Sequence, residues 1–496
     1  MDGNSFHANE SLNCRSSQAT QSKHLRRTLA GLIILIAILL SVFSAIPVYA
    51  LTTTSVTVIA TKVVGTNNTG IAMKLDYEWR EWRDSATLKQ VAKAAGVKFI
   101  VFYTWKSSSP KACISWNEAT KTGTFDWTNV DSLISSIRGI SAEPILSLGG
   151  YDMSSKWIPK GMATNPATGL PYPASWAAYC AQWVKHFKAI GVPFKYYEIT
   201  TEPFKYFGWT ADLTKLGYYV QLWNAAARAM RAVNPNVLLS QDFITAQRVL
   251  NYWIKYGDNV DFLDFHKYDS YALSGTGYCT DSQLLYRAET SRFTTTVGGT
   301  YGVADARQIW FNARGKWLPV IDSECNLNSY WTGGTDPRIQ KMVGAVWTAL
   351  VLRTSILDGV TCNAYFSFGS HPAYTQIGKG FGLVNLDNGK PWYPYYVNKW
   401  IGSNLKIGDP LVNSTSSSSN VRSLAWIDNS KLNILVINIA NTATALSIKN
   451  IPGPLNYYKI DNTYSYLTPQ VQTGTLNPAT ILTMNGYAVV LLQTTA

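Results

Sequence analysis

The chain of 496 residues is 46% hydrophobic and 13% aromatic, with 18 Trp and 29 Tyr, so it can bury a large core in two or three domains and is neither disordered nor fibrous. Charged residues make up 15%, against roughly 25% in ordinary globular proteins. The net charge of +13 reflects few acids (30) rather than many bases (43), and the bases form no run or stripe, which argues against a nucleic-acid partner.

The first element is an apolar run from Leu29 to Ile46, preceded by Lys23, Arg26 and Arg27 and followed by Val48-Tyr49-Ala50. Basic flank, apolar run and small-residue site together make residues 1–50 a secretory signal, with a membrane partner only if the segment stays as an uncleaved anchor. Either way the body is expected outside the cell. Residues 51–70 hold a strand-like stretch, "SVTVIATKVV", expected to pair into a C-terminal sandwich.

From residue 71 short β-rich runs alternate with amphipathic helical patterns. The strands fall at 71–77, 97–105, 143–150, 194–202, 237–243, 260–268, 318–325 and 359–368. Helices intervene at 84–95, 128–138, 175–190, 214–233 and 246–256, within 283–313, at 338–357 and near 395–401. Ser175 and Asp336-Pro337 are helix starts, and Gly96, Gly191 and Gly359 are stops. Eight such units predict an α/β fold, a (β/α)₈ barrel over residues 71–403, with a small antiparallel β-sandwich over residues 404–496.

Six cysteines are present, five of them after the leader: Cys113, Cys180, Cys279, Cys325 and Cys362. An odd set without C-x-x-C spacing allows at most two disulfides and suggests no metal. No phosphate-binding loop follows a strand, so no cofactor is expected. Asn67 and Asn413 head acceptable glycosylation sequons. The scarcity of Asp and Glu points to an acidic medium, because acid unfolding acts largely through carboxylates used by the native state.

Chemistry concentrates at strand ends, the face on which barrel enzymes carry their sites. In "YYEITTEPF" the period of two puts Glu198, Thr200 and Glu202 on one face, and strand four closes at Glu202. Strand six carries His266 and Tyr268. Strand seven, "VIDSECN", closes at Glu324 with Asp322 two residues before it on the same face. Two strand-end carboxylates suit glycosidic cleavage, where one group holds a proton for the leaving oxygen and the other stays ionised. Glu198, one pleat deeper, is expected to be structural, with Lys74 on strand one as its partner.

"YYEITTEPF", "VDFLDFHKY", "PVIDSECN" and "GTFDWTNVDSLISSI" resemble glycoside hydrolase clan A, the retaining (β/α)₈ glycosidases, and most nearly its β-xylosidase and cellulase branches. The resemblance covers Ile71 to Gly402. It implies that Glu202 is the general acid/base, that Glu324 is the nucleophile, and that His266 and Tyr268 line the site. Two departures stand out. Thr201 replaces the clan's Asn before the acid/base, and Phe366 or Phe368 stands where the clan frequently has Trp after strand eight. Trp79, Trp82, Trp105, Trp157, Trp209 and Trp331 fall near strand ends, where flat rings can stack on sugars. His371 follows strand eight within reach of the site, whereas His186 sits in a helix as a packing or surface residue. The expected partner is a β-linked polysaccharide or oligosaccharide (β-glucan, xylan or mannan) cleaved internally. The alternatives are a binding barrel without catalysis, which Thr201 keeps open, and a transglycosylase.

Overall fold

The computed structural model describes residues 51–105, 109–150, 158–208, 211–242, 244–270, 278–291, 293, 300–329, 336–371 and 380–495. Eight strands form one parallel sheet: β1 (Gly70–Leu75), β2 (Phe99–Tyr103), β3 (Glu143–Ser147), β4 (Tyr196–Glu198), β5 (Leu238–Ser240), β6 (Leu263–Tyr268), β7 (Val320–Asn326) and β8 (Cys362–Phe366). Their order is β5-β4-β3-β2-β1-β8-β7-β6. The seam between β5 and β6 is bridged by two bonds. Asp261 N–H donates to the Leu239 carbonyl at 2.8 Å, and the Ser240 hydroxyl donates to the Phe262 carbonyl at 2.6 Å. The predicted barrel therefore closes.

The strands are buried on both faces because helices cover the outside and side chains fill the inside. One interior layer is Ala72, Phe99, Val101, Ile145, Phe262, Ile321, Cys362 and Ala364. The helices start where capping chemistry allows: Ser85 accepts from Leu88 N–H, Asp212 accepts from Thr214 and Lys215, and Thr280 forms a reciprocal box with Gln283. The predicted helix at 338–357 begins instead with a 3₁₀ turn, Pro337–Gln340, and continues as Met342–Asp358. This last helix is apolar all round because it packs between the barrel and the sandwich. Gly96 ends its helix in the left-handed region at φ 65°, and a β-carbon there would lie 2.1 Å from the Gly402 carbonyl oxygen.

The sandwich strands belong to one nine-stranded, mostly antiparallel sheet. Its long N-terminal strand, Thr53–Thr66, pairs antiparallel with Pro410–Ser416 and parallel with Thr444–Lys449, as the sequence predicts. Asn67, at the end of that strand, is buried, and its amide donates to the carbonyls of Thr69 and Lys406, so the first sequon is internal rather than open to a glycan. All five cysteines of the described residues are free thiols, so neither of the allowed disulfides forms. Among the described residues no helix is long and apolar enough to cross a membrane, and the run Leu29–Ile46 lies outside them.

Candidate active site

At the C-terminal end of the barrel, β4 stops at Glu198, four residues earlier than the sequence pattern predicts. The chain then turns, with Glu202 in the left-handed region at φ 49°, so Glu202 is not a third inward residue of a strand. Thr200 leaves the shared face as well: its hydroxyl bonds the Tyr219 hydroxyl and lies 3.1 Å from Gln241 Oε1. The turn is held by Glu202 N–H, which donates to Asp242 Oδ2 at 2.6 Å just beyond β5. Its side chain then reaches back over the barrel, with Oε1 3.2 Å from His266 Nδ1 and Oε2 3.2 Å from Lys205 Nζ.

Glu324 arrives by a different irregularity. Along the β6–β7 ladder Asp322 aligns with Phe265, yet Glu324 aligns with His266, so one extra residue interrupts the period of two. Phe265 packs outward and His266 inward. Asp322 is therefore on the outer face, where Asn363 Nδ2 donates to it at 2.8 Å, and does not share a face with Glu324 as the pattern predicts. Glu324 points inward, 3.0 Å from Lys74 Nζ, and its Oε2 accepts from the Tyr268 hydroxyl at 2.7 Å. Lys74 is fully buried, its ammonium 3.9 Å from the Tyr103 ring centroid. Its ion pair is with Glu324 and not, as expected, with Glu198. The nearer partner of Glu198 is the Thr201 hydroxyl at 3.3 Å, which also bonds Ser147. Thr201 is thus turned down into the barrel.

His266 occupies the centre. Its Nδ1 lies 3.2 Å from Glu202 and 3.5 Å from Glu324, and its Nε2 lies 3.2 Å from Asp242 Oδ2. One oxygen of Glu202, one of Glu324 and a His266 nitrogen all lie within 4.8 Å of one another. Three such groups can in principle ligate a cation, but Lys74 already supplies the positive charge beside Glu324, so the arrangement is a set of acids around an imidazole and an ammonium.

The protonation pattern follows from burial and neighbours. For Glu202, burial is the largest influence and opposes ionisation, but the hydrogen bond and charge of His266 and the charge of Lys205 outweigh it and bring the carboxyl down to about 2. Burial pushes Glu324 up, against the pull of Lys74. Burial also lowers His266, against the pull of Glu202. Asp242 and Asp264 are driven well above the carboxylate range, first by burial and then by the nearby charge of Glu198. In this arrangement Glu202 is ionised, the reverse of the expectation that it holds the proton.

The aromatic expectations divide. Phe366 lies edge-on to Tyr268 with centroids 6.5 Å apart, and Trp105 leans on Tyr103 at 5.2 Å, so both border the site although nearly buried. Phe368 is fully buried against Trp82, and Trp79 and Trp82 belong to the core, so these three rings are packing rather than sugar platforms. Trp157, Trp209 and Trp331 lie outside the described residues. His371 pairs with Asp387 and stands 3.9 Å from Glu81; it joins neither carboxylate of the site. His186 stacks on Trp127 and pairs with Asp131 at 2.7 Å, a packing role. Asp242 and Asp264 are the site residues that sequence reasoning missed. The strand-end rule that selects Glu202 and Glu324 applies equally to Asp242 in "LLSQDF".

No protein-family model and no curated protein matches the chain. Solved structures do. The chain is similar to a monomeric β-xylosidase from Caulobacter crescentus, with 15% identity over 88% of this chain and 99% of that one and a TM-score of 0.62. An α-L-arabinofuranosidase from Thermotoga maritima gives 13% identity, 89% and 100% coverage and a TM-score of 0.59. An endoxylanase from Clostridium papyrosolvens gives 14%, 90% and 100%, and 0.53. What they share with this chain is the fold. The coverage takes in barrel and sandwich together, so the two-part architecture as a whole recurs in these proteins.

Proposed function

We propose that the protein is a retaining glycoside hydrolase that cleaves a β-linked plant-type polysaccharide, xylan first, with Glu324 as nucleophile and Glu202 as general acid/base. The observation that carries the proposal is the approach of one oxygen of each glutamate to within 4.8 Å of the other. Double displacement uses carboxyl groups about 5–5.5 Å apart, whereas inversion needs roughly 6.5–9.5 Å to admit a water.

In the first step Glu324 attacks the anomeric carbon and Glu202 protonates the leaving oxygen; in the second Glu202 takes a proton from the water that releases the sugar. Lys74 and Tyr268 hold both oxygens of Glu324 in place for the attack. The xylan preference draws on the names of the similar structures, a β-xylosidase, an arabinofuranosidase and an endoxylanase. Internal cleavage, export past residues 1–50 and work in an acidic medium complete the proposal, supported by the leader-like N-terminus and the scarcity of acids. Thr201, turned toward Ser147 and Glu198, leaves the sugar 2-hydroxyl to another group.

The test is reducing-sugar release from xylan, arabinoxylan, β-glucan and mannan by the parent, Glu202→Ala and Glu324→Ala. The parent is expected to act on xylan and neither variant to match it. On a 2,4-dinitrophenyl glycoside, whose leaving group needs no proton, azide should restore Glu202→Ala with a glycosyl azide of retained configuration and Glu324→Ala with one of inverted configuration. A parent that binds a polymer yet releases nothing from any of them would replace the proposal with a binding barrel.

A further inference from the structure

Asp242 has no part in the two-glutamate scheme, yet it is fully buried and tied to Glu202 and His266. Its Oδ2 accepts Glu202 N–H at 2.6 Å and lies 3.2 Å from His266 Nε2, while the opposite ring nitrogen, Nδ1, lies 3.2 Å from Glu202 Oε1. An imidazole that gains a proton at one nitrogen can release one from the other, so the ring joins two carboxyl groups end to end. The charged and titratable groups that face these three come from several elements. Lys74 from β1, Glu198 at the end of β4 and Asp264 from β6 act on Asp242; Glu324 from β7 and Tyr268 from β6 flank His266; Lys205 faces Glu202. Neighbouring carboxyls in a low-dielectric interior do not all ionise. Asp242, wholly buried beside Glu198, keeps a proton, while Glu202, paired with Lys205, does not. The proton required by the leaving oxygen is therefore already in the site, one imidazole away from the group that must donate it.

We propose that Asp242 stores the proton that Glu202 delivers and passes it through His266. The inference rests on the glycosidase proposal above. At rest the Asp242 hydroxyl faces Nε2 across 3.2 Å, and Nδ1–H donates to the Glu202 carboxylate. A sugar seated on Glu202 excludes water and raises the proton affinity of that carboxyl. The Asp242 O–H bond then breaks as Nε2–H forms, and Nδ1–H breaks as Glu202 O–H forms. One negative charge moves from Glu202 to Asp242, and His266 starts and ends neutral. After Glu202 has protonated the leaving oxygen and later drawn a proton from water, the reverse double transfer reloads Asp242. Asp242 is a positioning residue, since it reaches the reacting atoms only through His266 and Glu202.

Asp242→Asn keeps an acceptor for Glu202 N–H but has no proton to give. The experiment compares it with the parent on two substrates of one sugar, an oligosaccharide and a 2,4-dinitrophenyl glycoside, whose leaving group departs without protonation. Loss on the oligosaccharide is expected to be on the order of 100-fold in kcat/KM, and on the dinitrophenyl glycoside less than about threefold. Equal loss on both would mark Asp242 as merely structural, and no loss on either would mark it as idle; each overturns the relay alone. A parent inactive on both substrates overturns the glycosidase proposal and the relay with it. If the variant does not fold, the parent's rate on the oligosaccharide in H₂O–D₂O mixtures decides: a bowed dependence signals two protons in flight, and a linear one overturns the relay.

Discussion

Glu78 and Asp322 make the pH dependence of this fold's stability a quantitative matter. Both are completely buried, and burial, ahead of every neighbouring charge, pushes each carboxyl up to about 8. In an unfolded chain such groups titrate near pH ~4. A folded value raised above the unfolded one contributes stability that is fully present below pH ~4 and is lost as pH rises through about 8. Between about pH 5 and pH 7 the native protein holds two protons that the unfolded chain has released, and each lowers stability by ~1.4 kcal/mol per pH unit. The pair alone gives a fall of ~2.7 kcal/mol per unit, and Asp242 and Asp264, raised for the same reason, steepen it. Glu202 works in the opposite sense. Its contribution, present above pH ~4, is lost only as pH falls toward about 2, outside this window. Urea unfolding of the parent and Asp322→Asn across the window checks the account. The variant removes one proton from the balance, so its slope should be shallower by ~1.4 kcal/mol per unit. Parent stability that stays level or rises with pH over this range would refute the reasoning.

Lys74→Met removes the buried cation beside Glu324, and urea unfolding should show a loss of about 3–5 kcal/mol together with a nucleophile that is mostly protonated at neutral pH. Tyr268→Phe deletes the 2.7 Å bond to Glu324 and should lower kcat/KM by roughly ten- to a hundredfold with little change in KM; an unaltered kcat would show that the bond orients nothing. Gly96→Ala combines a left-handed φ with a clash against the Gly402 carbonyl and should cost about 2 kcal/mol or more, read as a drop of several degrees in thermal midpoint.

The barrel was legible because its strands are short apolar runs set between helices with clear amphipathic periods, and those patterns depend only on which residues must face the core. β1, β3 and β8 fall within two or three residues of their predicted limits. The end of β4 and the pleat of β7 were not legible in the same way. Pro203 is the last punctuation in "YYEITTEPF", but the strand ends at Glu198, and a glutamate with positive φ leaves no mark in a sequence. The bulge that separates Asp322 from Glu324 has no glycine to announce it, so strict alternation gave the right residue for the site and the wrong face for its neighbour.

Both irregularities do the same thing: they bring a carboxylate to one imidazole from strands on different sides of the barrel, where regular pleating would have sent it elsewhere. Residue types at strand ends therefore locate the acids, whereas the arrangement of protons among them depends on burial and on distances of about 3 Å that no spacing encodes. Glu202, Asp242 and Glu324 are alike in sequence as acids in strand-end runs, and Asp264 lies inside β6. In the folded chain His266 and Lys205 keep Glu202 ionised, and depth makes Asp242 and Asp264 the protonated ones. An interior with more carboxyl groups than cations has to keep some of its protons, and His266 is placed so that one of those protons can reach Glu202.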